Sequence, residues 1–518
     1  MIQVQNPILS GFYPDPSICR VGEDFYLVNS SFAYYPGVPI FHSKDLANWT
    51  QIGNILDRDS QLPLDKVGHS GGIFAPTIRY HKGLFYMITT NVGYGGNFIV
   101  TATNPEGPWS EPYYLHTPGI DPSLFFDEDD TCYYVGTRPN PEGVRYNGDW
   151  EIWVQELQLS TMTLVGESHY IWKGAMKDVI WPEGPHLYKK DGYYYLMIAE
   201  GGTGPNHAVT VARSKTVFGP YENNPNNPIL THRHMGKNFP IVYVGHGDLV
   251  DDENGNWYMV TLASRRCEGF IGLGRETFLC KVFWEDGWPV VNPGVGKLED
   301  VVELPFHGES PKNKTKQSLL PYTKESFDVL RIRNMKEDFY KVSKDGMKLK
   351  FLKAKLSEQD SPAYLGFRQL SYDYVAKAIF KFNQLYGKEE FGIVLLQSNE
   401  YHITLRMKAN SSELKLQVVK VIKGNEEILA EEEMTSYLYN TDSICNQVEL
   451  IIKGYGQKAD FKYRIGDKLV TLSKHVDIHE MSTEIAGGFV GNTLGVYTSS
   501  CHDESSNEIV VADFTIEY

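Results

Sequence analysis

"DPSICRVGEDFYLV", residues 15–28, sets a proline-flanked aspartate before an apolar run, a Gly–Glu–Asp turn and an aromatic–Tyr pair that opens a second run. Apolar runs on either side of such a turn predict the two strands of an antiparallel hairpin. Pro14 and Pro16 restrict φ around Asp15 and remove two backbone donors, so the carboxylate stands rigidly at the mouth of the first strand. For an isolated Asp–Pro pair, a turn whose aspartate bonds nearby amides would be explanation enough. Here the arrangement recurs.

Four later segments share the pattern: "APTIRYHKGLFYMI" from Ala75, "DPSLFFDEDDTCYYVG" from Asp121, "GPHLYKKDGYYYLM" from Gly184 and "HGDLVDDENGNWYMV" from His246. The starts lie 60, 46, 63 and 62 residues apart. Candidate third strands such as "PIFHSKDLANW", "FIVTATNPEGPW" and "VTVARSKTVFGPY" follow, so each hairpin opens a larger antiparallel sheet. Five similar sheets in succession predict a five-bladed β-propeller around a central channel. The first strand of a blade lines that channel. The positions in common register are Asp15, Ala75, Asp121, Gly184 and His246, with Glu183 just before Gly184. Three carboxylates and a histidine therefore converge on one axial end.

Size and composition bound the rest. A chain of 518 residues calls for two or three domains. A net charge of −16 argues against nucleic-acid and anionic-membrane partners, and no basic run contradicts it. No apolar run reaches membrane-spanning length, and "MIQVQNPILSG" lacks the basic and apolar regions of a signal peptide. The six cysteines are scattered without CxxC spacing, which fits free thiols in a reducing cytoplasm. The 33 tyrosines and 9 tryptophans favour strands and also suit sugar stacking. The composition is equally compatible with a homo-oligomer.

Acids that face one another in a cleft shift each other's pKa values and suit acid–base work. A glycosidase needs one protonated carboxyl for the leaving oxygen and one carboxylate on the opposite face of the sugar. Calcium binding by the trio is the rival reading, although such sites usually gather more oxygens from one loop. Trp181, Pro182 and Pro185 flank Glu183 and limit its hydration, and Asp121 adds a like charge, so Glu183 suits the acid. Asp15 must stay ionised, and Arg275 in "GRETFL" is the candidate neighbouring cation; an ordinary strand-end ion pair is its alternative. "DDENGN", residues 251–256, reads as a blade turn rather than a calcium loop.

Together "GFYPDPSICRVGEDFYLVNSSFAYYPGVPIFHSKDLANW", "GIDPSLFFDED", "WPEGPHLYKKDGYYYLMIAEGGTGPNHAVTVARS" and "GRETFL" resemble glycoside hydrolase family 43, most nearly its two-domain β-xylosidase and α-L-arabinofuranosidase members. The resemblance implies a five-bladed propeller and hydrolysis with inversion. It assigns Asp15 as general base, Glu183 as general acid, and Asp121 as the residue that holds the acid and raises its pKa. Arg275 would contact sugar hydroxyls, Phe32 and Phe74 would form apolar walls, and Thr203 and His207 in "GGTGPNH" would reach the sugar. His246 matches a histidine below the active site that meets a water or a metal; a hydrogen-bonded core histidine is the other reading. No cofactor is required for this chemistry, and the resemblance leaves a place for a divalent cation, calcium, in the channel near His246. Phe74 stands where many relatives carry tryptophan, and Gly247 where alanine is usual.

The pattern changes beyond the propeller. Residues 1–300 are expected to form the catalytic domain, 301–323 a polar linker and 324–518 a second domain. Alternating strands such as "FGIVLLQSNEYHITLRM", "ELKLQVVKVI" and "QVELIIKGYG" predict a β-sandwich, jelly-roll or concanavalin-like by the resemblance. In relatives this domain lends a loop to the active-site rim. "GGFVGNTLGVYTSS", residues 487–500, is a candidate rim loop by its glycines and equally reads as a strand pair. The chain is expected to be an exo-acting β-xylosidase on xylo-oligosaccharides, with α-L-arabinofuranosidase action on arabinose-bearing ones as the alternative. A non-catalytic sugar-binding propeller is the third reading, disfavoured by the three converging acids.

Overall fold

Successive side chains of a strand point to opposite faces, and in the N-terminal half both faces are apolar. Leu124 packs toward Tyr86 and Ile88, while Phe125 packs toward Leu187 and Leu196. Leu249 likewise joins Tyr195 and Met197, and its neighbour Val250 joins Ile18 and Phe25. A sheet buried on both faces must be sandwiched between two others, and repetition of that requirement closes a ring. The computed structural model describes residues 1–518 except 237, 312–313, 411–412 and 436–445; Cys445 lies outside the described residues. It shows five four-stranded antiparallel blades, each built from contiguous sequence.

The inner strands of blades I to V are Ser17–Val21, Ile73–His81, Ser123–Phe126, Glu183–Lys190 and Ile241–Asp251. They touch in ring order, the fifth returning to the first. Ile2–Gln5 pairs antiparallel with Val301–Leu304 outside the blades and ties the two ends of the ring together. Residues 251–256 form the turn between the first two strands of blade V, where Asp252 Oδ1 accepts the amides of Asn254 and Asn256.

The C-terminal half is a sandwich of an eight-stranded and a six-stranded antiparallel sheet. One face of the six-stranded sheet, with Phe391, Ile393 and Leu395, enters the sandwich core. Its other face, with Val394, Leu396, Tyr364 and Tyr497, packs on Phe12, Phe32 and Tyr34 of the propeller. This double burial explains why "FGIVLL" reads as an unbroken apolar run.

The stretch expected to be a linker is more structured than its polar composition suggests. Val301–Leu304 belongs to the propeller closure, and Lys316–Ser318 already pairs with Glu508–Glu517 of the sandwich. Arg331–Ile332 then pairs back onto Tyr34–Tyr35 of blade I. Backbone pairing needs no apolar side chains, so composition alone did not mark these strands.

Candidate active site

The first register position of the repeat is special in its backbone as well as its chemistry. Asp15, Asp121 and His246 have φ of 52°, 51° and 50°, and Gly184 has 56°. Left-handed backbone turns these positions toward the funnel, at the entrance of the inner strand for Asp15, Asp121 and Gly184 and at the register shift between Gly245 and Gly247 for His246, and Asp, His and Gly tolerate it better than most residues. Hydroxyls from a neighbouring strand hold these entrances: Thr77 Oγ1 donates to the Pro122 carbonyl at 3.0 Å, Thr137 Oγ1 to Pro182 at 2.6 Å and Thr277 Oγ1 to Tyr13 at 2.7 Å. A Cβ at Gly184 would lie 2.7 Å from the His246 ring, so a larger residue there would force that ring to move.

Asp15 is buried and fully engaged. Its Oδ1 accepts Arg275 Nη1 at 2.8 Å and its Oδ2 accepts the Ser30 hydroxyl at 2.6 Å. Asn29 Nδ2 braces the same turn from below, donating to the Tyr13 and Pro14 carbonyls at 3.0 and 3.1 Å. Burial alone would raise the Asp15 carboxyl; Arg275, His246, Ser30 and His207 outweigh it and hold the group below its ordinary value.

The other two acids go the opposite way. Burial, then the charge of Asp15, pushes Asp121 up to about 8, opposed by Arg275 and by the Gly184 amide that donates to it. Glu183 is raised well above its usual range by burial, then by Asp121 and Asp15. At neutral pH the site thus combines an ionised Asp15 with an Asp121–Glu183 pair that retains a proton, and that proton belongs to the pair.

Three rings from three parts of the chain close the pocket wall. Phe32 and Phe74 meet edge to face with centroids 5.7 Å apart, and Phe489 stacks on Phe32 at 6.2 Å and meets Phe74 at 5.7 Å. The Arg275 guanidinium lies 5.8 Å from the Phe32 centroid and 5.4 Å from that of Phe489. Thr203 Oγ1 accepts Arg275 Nη1 at 3.4 Å. Segment 487–500 therefore divides: residues 487–492 form the rim loop that carries Phe489, and Thr493–Ser499 is a strand. The Phe489 amide donates to Ser70 Oγ at 2.8 Å, and Gln397 Nε2 to the Gly487 carbonyl at 3.0 Å.

His207 is buried against Gly245, with its Nδ1 2.9 Å from the Tyr243 carbonyl, and burial lowers its pKa to about 4. His246 is also kept toward its neutral form, by burial first. A cation site beside His246 does not fit the residues present. Among the described residues, the ligand-type side chains that converge in a group of three are Asp477, His479 and Glu480 on the sandwich, none of them a residue of this channel. The two carboxylates that act on His246 are both taken: Asp15 by Arg275 and Ser30, and Asp248 by Arg79.

The structure thus brings Asp15, Asp121, Glu183, Arg275, Phe32, Phe74 and Thr203 around one funnel, with His246 beneath. Ser30, Asn29 and Phe489 were not singled out from sequence. Serine and asparagine in "VNSS" carry no distinctive spacing, and Phe489 stands more than 450 residues from Phe32, a contact no local pattern encodes.

Comparison with known proteins identifies the family of both halves of the chain. The family description "Glycosyl hydrolases family 43" matches residues 4–289, and "Beta xylosidase C-terminal Concanavalin A-like domain" matches 326–517. The chain is 53% identical to a xylosidase/arabinosidase of Butyrivibrio fibrisolvens, with both chains fully covered. It is 34% identical to a non-reducing end α-L-arabinofuranosidase of Bacteroides ovatus, covering 98% of this chain and 93% of that one. Among solved structures, a xylan β-1,4-xylosidase from Bacillus halodurans superposes with a TM-score of 0.90 at 32% identity, covering 99% of this chain and 100% of that one.

Proposed function

Because the chain belongs to family 43 of the glycosyl hydrolases, we propose that the funnel releases single xylose units from the non-reducing ends of β-1,4-xylo-oligosaccharides with inversion. The observation that carries this reading is the buried trio of acids in which Asp15 is paired with Arg275 at 2.8 Å and held low, while burial beside Asp121 and Asp15 raises Glu183. Glu183 gives its proton to the glycosidic oxygen as the C–O bond breaks. Asp15 takes a proton from the water that attacks the anomeric carbon on the other face. Asp121, held by the Gly184 amide, keeps the proton on the acid's side of the site. Arg275 holds Asp15 ionised and presents its remaining donors to sugar hydroxyls.

In this reading exo action comes from the wall that Phe32, Phe74 and Phe489 form beside the acids, which takes a terminal sugar rather than a chain interior. Thr203 and His207 complete the polar side of that pocket in this reading. The second reading, α-L-arabinofuranosidase action, is favoured by the Bacteroides ovatus relative's name, and the two pentoses offer similar shapes. The five described cysteines are free thiols, which supports a reducing cytoplasmic setting.

Parallel kcat/KM measurements on nitrophenyl β-xyloside and α-arabinofuranoside test the substrate assignment. The xyloside is expected to be preferred; a preference for the arabinofuranoside establishes the second reading, and turnover of neither overturns both. Proton NMR of the first-formed sugar tests inversion. A β-xyloside should yield α-xylose before mutarotation, and β-xylose first would recast Asp15 as a nucleophile.

A further inference from the structure

Beneath the three acids, a second polar layer crosses the channel. Arg79 of blade II donates from Nη1 to Asp248 Oδ2 at 2.8 Å and from Nη2 to Asp248 Oδ1 at 3.0 Å. Its Nη2 also stands 2.9 Å from His186 Nδ1. That nitrogen therefore accepts, and His186 is neutral. Ser17 Oγ and the Ile18 amide donate to Asp248 Oδ2 at 2.6 and 3.0 Å, and the Tyr188 hydroxyl donates to Oδ1 at 2.6 Å. Asp248 is completely buried.

A carboxylate, an imidazole and two hydroxyls drawn from blades I, IV and V make a donor set that a divalent ion could use. Here it is closed around a guanidinium, whose planar fork matches the carboxylate and whose charge does not titrate. The layer also sits in direct sequence with the chemistry above it. Ser17 is two residues beyond Asp15, His186 three beyond Glu183, and Asp248 two beyond His246. A clamp on these three strands sets where the base and the acid stand relative to each other.

We propose that Arg79 is the resident cation of the channel: it stands in place of a divalent ion, and by tying blades I, II, IV and V it acts as a positioning residue for Asp15 and Glu183. The protein accordingly works without bound metal. A metal ion added at this level would meet a fixed positive charge and an already neutralised Asp248.

The test begins with the full-length protein dialysed against EDTA. Its metal content, melting temperature and kcat are measured with and without added Ca2+ or Mn2+. No shift in Tm or kcat is expected; loss of activity on chelation with recovery by either ion overturns the cation assignment. The variant Arg79→Ala should lose about 100-fold in kcat at little-changed KM, as expected for misplacement of about 1 Å. Low concentrations of guanidinium, or Ca2+ or Mn2+ at the vacated donors, should restore part of that kcat and raise the variant's Tm. Should Arg79→Ala not fold, Ser17→Ala removes one hydroxyl from the clamp and should lower kcat several-fold without raising KM. A folded variant of either kind with the parent's kcat overturns the positioning role. The kcat arms rest on the glycosidase reading of the pocket, whereas metal content and Tm do not. A failed reading and a failed inference are thereby told apart.

Discussion

Asp15 and Glu183 are both carboxyls that burial pushes toward the neutral form, and Arg275 at 2.8 Å is what separates their fates. Glu183→Ala should therefore lower kcat/KM on xylo-oligosaccharides by about 10²–10⁴-fold but spare substrates with acidic leaving groups, which need little protonation. Asp15→Ala should abolish turnover of both, because water must be activated whatever leaves. An equal fall of both substrate classes in Glu183→Ala would remove Glu183 from the acid's role. The same neighbours set the pH profile. Asp15 works ionised and is held low, so the acidic limb lies below the ordinary aspartate range. The alkaline limb falls where the Asp121–Glu183 pair gives up its proton, with Asp121 raised to about 8. Arg275→Gln removes a charge that lowers all three acids, so both limbs of kcat/KM against pH should move upward. An unmoved acidic limb would show that Arg275 does not hold Asp15 ionised.

Within the elements, the decisive feature is where a strand begins and what fastens the loop above it. The inner-strand register was legible because Asp15, Asp121, Gly184 and His246 share a local backbone need that selects residue types one blade at a time. The rim loop was legible only as a glycine-rich stretch, since its partner Ser70 belongs to the segment between blades I and II. Gly488 has φ of 77°, and a Cβ there would stand 2.3 Å from Ser70 Oγ. Gly488→Ala should therefore lift Phe489 from Phe32 and raise KM. Ser70→Ala should do so more mildly, by roughly two- to tenfold, from the loss of one hydrogen bond of about 0.5–1.5 kcal/mol. Steady-state kinetics on nitrophenyl β-xyloside decides this; an unchanged KM in Gly488→Ala would show that Phe489 does not shape the pocket.

Across the whole molecule, the six-stranded sheet serves the propeller as a lid and a wall rather than as a separate module. It covers Phe12, Phe32 and Tyr34, and Arg368 reaches across with Nε 2.9 Å from the Phe12 carbonyl and its guanidinium 4.3 Å from the Tyr13 ring. A fragment ending at residue 322 would expose this face, at about 1.5–3 kcal/mol for each large apolar side chain returned to water. It would also lack Phe489. Such a fragment is expected to be poorly soluble and nearly inactive on xylobiose, and a soluble, fully active one would refute the lid role.

The five-blade plan, the sandwich and the candidate acids were legible in sequence alone: the two folds because strand alternation and turn residues repeat along the chain, Asp15 and Asp121 because they share one offset from a hairpin, and Glu183 because it directly precedes that position in blade IV. Strand pairing in the 301–323 stretch, the three-ring wall with Phe489, and the Arg79 clamp on Asp248 and His186 were decided only by the tertiary structure. Each of these joins residues from different blades or different domains, and no periodicity along the chain records which distant side chains the closed ring will bring face to face.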